Sequence, residues 1–310
     1  MELIEGIALS RLCDYSFGDQ AGQWSNIHTH FMKDANFINL EFASKVFEIK
    51  KSRDYMTLFI DNIRLYKRDI VEVKESDKSV VNDMMENNNL LKLCGEFPEM
   101  NFIIFTNLED TPLDEHVFDF IPNNVLRICA ANSMVWGNKV VPAPYGVQRR
   151  MSFNDDRIGV LQSYMTKEKM PTSFGLLYVG INENSHEERN GLTEKFIDES
   201  WATVETGRVD FENYLDRMWR CKFVLCPRGN AIDCHRNWEV IYMRRVPVMK
   251  RYPYLEELFK DYPVVFVDDY NEITKELLTK NEDKFIRAQE MDLTQLSLPY
   301  WFDKMCEGCL

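Results

Sequence analysis

From Leu176 to Val267 the chain alternates short apolar runs with stretches of helical spacing. The runs Leu176–Ile181, Trp201–Glu205, Phe223–Cys226, Val246–Met249 and Val264–Val267 are rich in aliphatic, β-branched and aromatic residues and end at turn-forming residues, which predicts five buried strands. Strands separated in this way by helices predict a parallel, doubly wound sheet with right-handed crossovers. The first half alternates less regularly. There the pattern predicts strands at Ile7–Leu12, Val46–Ile49, Met56–Ile60, Asn101–Thr106, Leu126–Ala130 and Lys139–Pro142, and a helix from Ser76–Asp77 to about Leu93 capped by Asp77. A polar, turn-rich stretch from Pro142 to Arg157 separates the halves. The expected division is 1–150, 151–285 and a tail, 286–310, whose aromatic segment Leu296–Phe302 packs back on the first domain.

The stretch FVLCPRGNAIDCHRNWEVIYMRRVPVM, residues 223–249, reads as strand, loop, helix, strand. In such a unit the loop after the strand faces a helix start, where unpaired N–H groups and the helix dipole attract an anion such as phosphate. Arg228 offers a planar fork for phosphate oxygens, and Gly229 lets the backbone approach a ligand closely. A helix starting near Asp233 puts His235 and Glu239 one turn apart on one face, with Arg236 beside them. Glu239 is then placed to accept hydrogen bonds from ribose hydroxyls while the helix start holds a diphosphate. Asp233 would repel phosphate, so it is assigned to capping or to the hydroxyls of a bound sugar. Each of these residues taken singly has an ordinary structural explanation; together they favour a binding site.

The run CPRGNAIDCHRNWE, followed by an apolar segment and VPVM, resembles the donor-binding signature of exostosin-like glycosyltransferases, and most closely the compact soluble members encoded by large DNA viruses of algae. The resemblance extends from about Leu176 to Asp269. It implies that the loop of Arg228, Gly229 and Asn230 lies near a sugar-nucleotide diphosphate and that Glu239 binds the nucleoside ribose. Two positions depart from the pattern: Ala231 stands where a second glycine is common, and Arg245 where a small residue often precedes the strand. By position and resemblance, Arg189 and Asn190 in the loop GINENSHEERNG help hold the diphosphate, and the loop Thr206-Gly207-Arg208 touches the base.

Composition narrows the partners. At 310 residues, with 45% hydrophobic and 28% charged residues, the chain suits two soluble domains. A net charge of −13 argues against nonspecific nucleic-acid binding, and leaves room only for a local basic cleft of Arg228, Arg236, Arg244 and Arg245. The opening MELIEGIALSRLCDY lacks the basic region and apolar core of a signal peptide, and no later run approaches a membrane span. The expectation is a cytoplasmic protein without an integral membrane segment, in a host cell if the source is viral. The eight cysteines are scattered as reduced core thiols would be, and Cys306-Glu-Gly-Cys309 is read as a fortuitous pair. His28 and His30, two apart in a polar, aromatic loop from Ser16 to Asn36 that also holds Asp19 and Trp24, point in different directions, which disfavours a shared metal.

Two Rossmann-like halves with the nucleotide loop in the second imply the GT-B arrangement, an α/β fold of two doubly wound domains facing across a cleft. No Asp-x-Asp occurs in the chain, and sites of this kind balance a departing diphosphate with cations and helix dipoles, so no essential metal or other cofactor is expected. The family resemblance implies inversion at the anomeric carbon, which requires a general base on the acceptor side. The candidates are Asp61 at a strand end, Asp77 at a helix start and Asp19 in the first loop, in that order. The expected activity is transfer of a sugar from a UDP-sugar to a hydroxyl of an oligosaccharide or glycoprotein glycan. UDP-xylose is the narrow expectation for the donor, with UDP-galactose, UDP-glucose and UDP-glucuronate open. The alternatives are a noncatalytic nucleotide- or glycan-binding module and a sugar-nucleotide epimerase of GT-B shape.

Overall fold

The computed structural model describes residues 1–4, 6–16, 35–60, 90–107, 110, 112–137, 139–147, 156–167, 171 and 174–309. The chain divides into two compact units. The first holds Ile4–Tyr145 and Leu298–Leu310, and the second holds Met1–Leu3 and Gly146–Ser297.

In the first unit, strands β1 (Tyr15–Ser16), β2 (Tyr55–Ile60), β3 (Asn101–Thr106), β4 (Val125–Ala131) and β5 (Val140–Ala143) form one parallel sheet in sequential order. YMTLFI and NFIIFT are largely apolar, interrupted by Thr57 and bounded by Asn101 and Thr106, because a parallel sheet is covered on both faces. On one face Met56, Leu58, Phe102, Ile104 and Ile128 pack under Phe42 and Val46. The helix Leu298–Cys306 belongs to this unit: Phe302 stacks on Phe105 at 5.0 Å, and Arg127 Nη1 donates to Met305 O and Glu307 O, each at 2.7 Å.

Two expected strands are helical. Ile7–Leu12 lies in the helix Gly6–Leu12, and Val46–Ile49 lies in the helix Ala35–Lys50. The physical reason is spacing: Phe42, Val46 and Ile49 recur at intervals of four and three and are all buried, a helix period that a four-residue window hides. Of the expected helix from Ser76, only its end is described, as the helix Leu90–Gly95.

In the second unit, strands β6 (Gly175–Val179), β7 (Ala202–Val204), β8 (Cys221–Leu225), β9 (Val246–Lys250) and β10 (Val265–Val267) form a parallel sheet in the order β10-β9-β8-β6-β7. Alternate residues face opposite layers. Leu177, Val179, Phe223, Leu225, Val246 and Val248 share a core with Leu192, Phe196, Leu278 and Ala288. On the other face the Tyr178 ring meets Tyr214 at 6.2 Å. Helices thus cover both faces, and both units are α/β with parallel five-stranded sheets, compatible with Rossmann-like domains. From β6 the chain goes outward to β7, then returns to the opposite side of β6 to lay down β8. That reversal is a topological switch point, and ligands of open α/β sheets bind at the carboxyl ends of strands flanking it.

Candidate functional site

Loops leaving β6 and β8 meet at this switch point. β8 ends at Leu225; Cys226 N still donates to Val248 O at 2.9 Å, after which Pro227 has no N–H to continue the ladder. Arg189, from the loop after β6, reaches under the turn and is itself 8% exposed. Its Nε donates to Arg228 O at 2.6 Å, its Nη2 to Pro227 O at 2.9 Å and its Nη1 to Asn182 O at 3.2 Å. Arg189 therefore spends its fork on backbone carbonyls and holds the loop, rather than projecting toward a ligand. Gly229 fits this arrangement: a Cβ there would stand 3.3 Å from Arg189 Nη2, tighter than side chains ordinarily pack. Asn190 and Asn230 are exposed beside these positions.

Arg228 is half-buried and curls over its own turn, with Nε on Gly229 O at 3.3 Å and Nη2 on Asn230 O at 2.9 Å. Its guanidinium lies 5.8 Å from the ring of Tyr252. Tyr252 donates to Glu188 Oε1, and Lys250 Nζ is 3.5 Å from Glu188 Oε2. Neither Glu188 nor Tyr252 was singled out by the sequence, because three separate loops bring them together.

The helix after the loop is His235–Tyr242. Its cap residue is Cys234, in extended conformation and without a side-chain cap bond. That corrects the capping role expected for Asp233. Asp233 is 0% exposed, and its carboxylate accepts from Asn237 Nδ2 at 2.9 Å and Trp238 Nε1 at 2.7 Å, so it anchors the helix from inside instead of capping it. His235 Nδ1 is 2.7 Å from Gly146 O; a carbonyl only accepts, so Nδ1 carries the hydrogen.

One turn further on, Glu239 is 5% exposed. Its Oε2 accepts from the hydroxyl of Tyr214 at 3.1 Å, and that hydroxyl accepts from Arg236 Nε at 2.9 Å. Arg236, Tyr214 and Glu239 are a hydrogen-bonded relay. Burial raises the Glu239 carboxyl above the ordinary range, against the pull of Arg236, the Tyr214 hydrogen bond and Arg157. Burial likewise raises the Tyr214 hydroxyl. Tyr214 was missed, although the Asp210 cap and the apolar spacing of Phe211, Leu215 and Met218 mark its helix, Phe211–Trp219, in the sequence.

The four-arginine cleft does not form. Arg245 is 0% exposed and donates to Trp219 O (2.8 and 2.5 Å), Met243 O and Arg244 O (both 3.1 Å), with burial bringing its guanidinium down to about 10. Thr206 and Arg208 are exposed on the loop after the edge strand β7, with no hydrogen bond to another site residue among those described. Asp61, Asp77 and Asp19, together with Trp24, His28 and His30, lie outside the described residues. Among the described residues, no group of three or more His, Cys, Asp or Glu is disposed to hold a metal, and no helix is long and apolar enough to cross a membrane.

What fold and site define is an α/β unit with an arginine-held loop at a switch point and a buried carboxylate on the following helix. No protein-family model matches the chain, and no curated protein matches it.

Proposed function

We propose that the protein is an inverting, UDP-sugar-dependent glycosyltransferase of GT-B architecture that acts on a glycan hydroxyl. One observation carries the reading: the loop Pro227–Arg228–Gly229, fixed from below by Arg189, stands at the switch point beside a helix start without a side-chain cap, and Glu239 follows on that helix. Backbone N–H groups at the helix start, with Arg228, suit a diphosphate. Glu239, oriented by Tyr214, suits the ribose hydroxyls. In the proposed reaction a first-unit carboxylate, Asp61, Asp77 or Asp19, takes the proton from the acceptor hydroxyl. The acceptor oxygen bonds to the anomeric carbon, and the bond to UDP breaks on the opposite face. The charge leaving with UDP is balanced by Arg228 and the helix dipole, and the reading includes no essential metal. UDP-xylose is the donor we favour, with a cytoplasmic site of action.

Donor hydrolysis tests this. Purified protein is incubated with a panel of UDP-sugars, with and without chelator, and released UDP is measured alongside UDP titrations of wild type and Glu239→Ala. Chelator-resistant release from one donor, with UDP binding weakened by Glu239→Ala, is the expected result. UDP binding with no turnover on any donor or glycan acceptor would favour the noncatalytic module. Turnover of a UDP-sugar to another UDP-sugar would favour the epimerase.

A further inference from the structure

Beyond the loop and Glu239, the same edge carries a second constellation. Helices Phe211–Trp219 and His235–Tyr242 follow β7 and β8, so both begin at the carboxyl edge of the sheet. A third helix, Arg157–Met165, packs against both of them. Its first residue brings its start to the same edge: the Arg157 guanidinium lies 4.6 Å over the ring of Phe211. Phe211 in turn meets the ring of Tyr214 at 6.0 Å, and Tyr214 holds Glu239 Oε2. Arg157 also acts electrostatically on the Glu239 carboxylate. Arg157 and Phe211 are both half-buried, so part of each reaches solvent. Glu239 Oε1 takes no hydrogen bond among the described residues, which leaves it to a ligand hydroxyl.

We infer that Arg157 and Phe211 form the platform on which the nucleobase of the donor stacks, next to a ribose held by Glu239. The inference rests on the UDP-sugar reading of the site and moves base recognition away from the Thr206–Arg208 loop. The chemistry follows from shape. A guanidinium over the face of an aromatic ring offers a polarisable surface, and a planar guanidinium or an aromatic ring is one that a nucleobase covers favourably. The platform adjoins Glu239, a buried carboxylate at this edge whose Oε2 Tyr214 orients. Both residues come from helix first turns, which packing holds in place, whereas Thr206 and Arg208 are exposed.

Calorimetric titration of the full chain with UDP and with inorganic pyrophosphate tests it, using Arg157→Ala, Arg157→Lys, Phe211→Leu and Arg208→Ala, each checked for folding by its thermal melt. Loss of a base stack weakens binding by about tenfold or more. UDP affinity is therefore expected to fall by about that factor in both Arg157 variants and in Phe211→Leu, since lysine keeps the charge but not the plane. Pyrophosphate affinity and the Arg208→Ala protein should stay near wild type. If Phe211→Leu fails to fold, the two Arg157 variants decide. UDP affinity unchanged in both Arg157 variants would overturn the platform, as would an equal loss for pyrophosphate or a loss confined to Arg208→Ala. Failure of wild type to bind UDP would instead remove the nucleotide reading, and the platform with it.

Discussion

Burial and the proposed ribose contact pull Glu239 in opposite directions. Its carboxyl is raised because burial penalises the charged form more than Arg236, Tyr214 and Arg157 favour it. A group with a raised folded pKa adds most to stability below its unfolded value of about 4.3 and loses that contribution as pH rises through the folded value. On the proposed function nucleotide binding would have the opposite slope, because only the ionised carboxylate can accept from ribose hydroxyls without giving up an oxygen to a proton. UDP affinity is thus expected to fall as pH is lowered through the raised Glu239 pKa, while the unliganded protein gains stability over the same window. Glu239→Gln should flatten both slopes. Titration of UDP and urea unfolding at a series of pH values check this, and a pH dependence of UDP affinity unaltered in Glu239→Gln would remove Glu239 from the site. At this scale Arg228, Gly229 and Glu239 were legible because they lie within one short stretch. Tyr214, Arg157 and Glu188 were not, because each comes from a different segment and only packing makes them neighbours.

At the level of elements, the turn from the helix His235–Tyr242 into β9 is secured by Arg245. Its guanidinium supplies four hydrogen bonds to three carbonyls, of which Arg244 O also accepts from Gln289 Nε2 at 2.6 Å, and it is flanked by Phe174, Trp219 and Phe285 at 5.0–5.7 Å. A lysine has neither the fork nor the plane. Arg245→Lys is expected to lower stability by about 3 kcal/mol, because buried acceptors lose their donors, and chemical denaturation of the two proteins would measure it. A change of less than about 0.5 kcal/mol, the range of neutral surface substitutions, would show that the bonds are replaced. Strand positions in the second unit were readable from apolar runs bounded by turns, since a buried parallel strand has to be apolar throughout. Helices Gly6–Leu12 and Ala35–Lys50 were misread as strands in part because a short apolar run fits both periods.

On the scale of the whole molecule, the last helix belongs with the first sheet. Phe302 stacks on Phe105, Trp301 and Met305 are buried, and Arg127 caps the carbonyls of Met305 and Glu307. Ending the chain after Ser297 should therefore expose the face of β3 and β4 that this helix covers and leave the second unit intact. Hydrogen exchange is expected to quicken across Asn101–Thr106 and Val125–Ala131 and to stay unchanged across Cys221–Leu225 and Val246–Lys250. Faster exchange in the second pair instead would reverse the assignment. The alternation of strand and helix in the second half, the break at Pro227 and the one-turn spacing from His235 to Glu239 can be read along the chain, because they depend on residues near one another in it. Tertiary structure decided which strands flank the switch point, that Arg189 holds the loop instead of facing a ligand, that Asp233 is buried among side chains instead of capping, and that Tyr214 and Arg157 join Glu239. Those outcomes depend on where the return from β7 lays β8 and on which helix starts the sheet gathers at one edge, and no local pattern of residues encodes either.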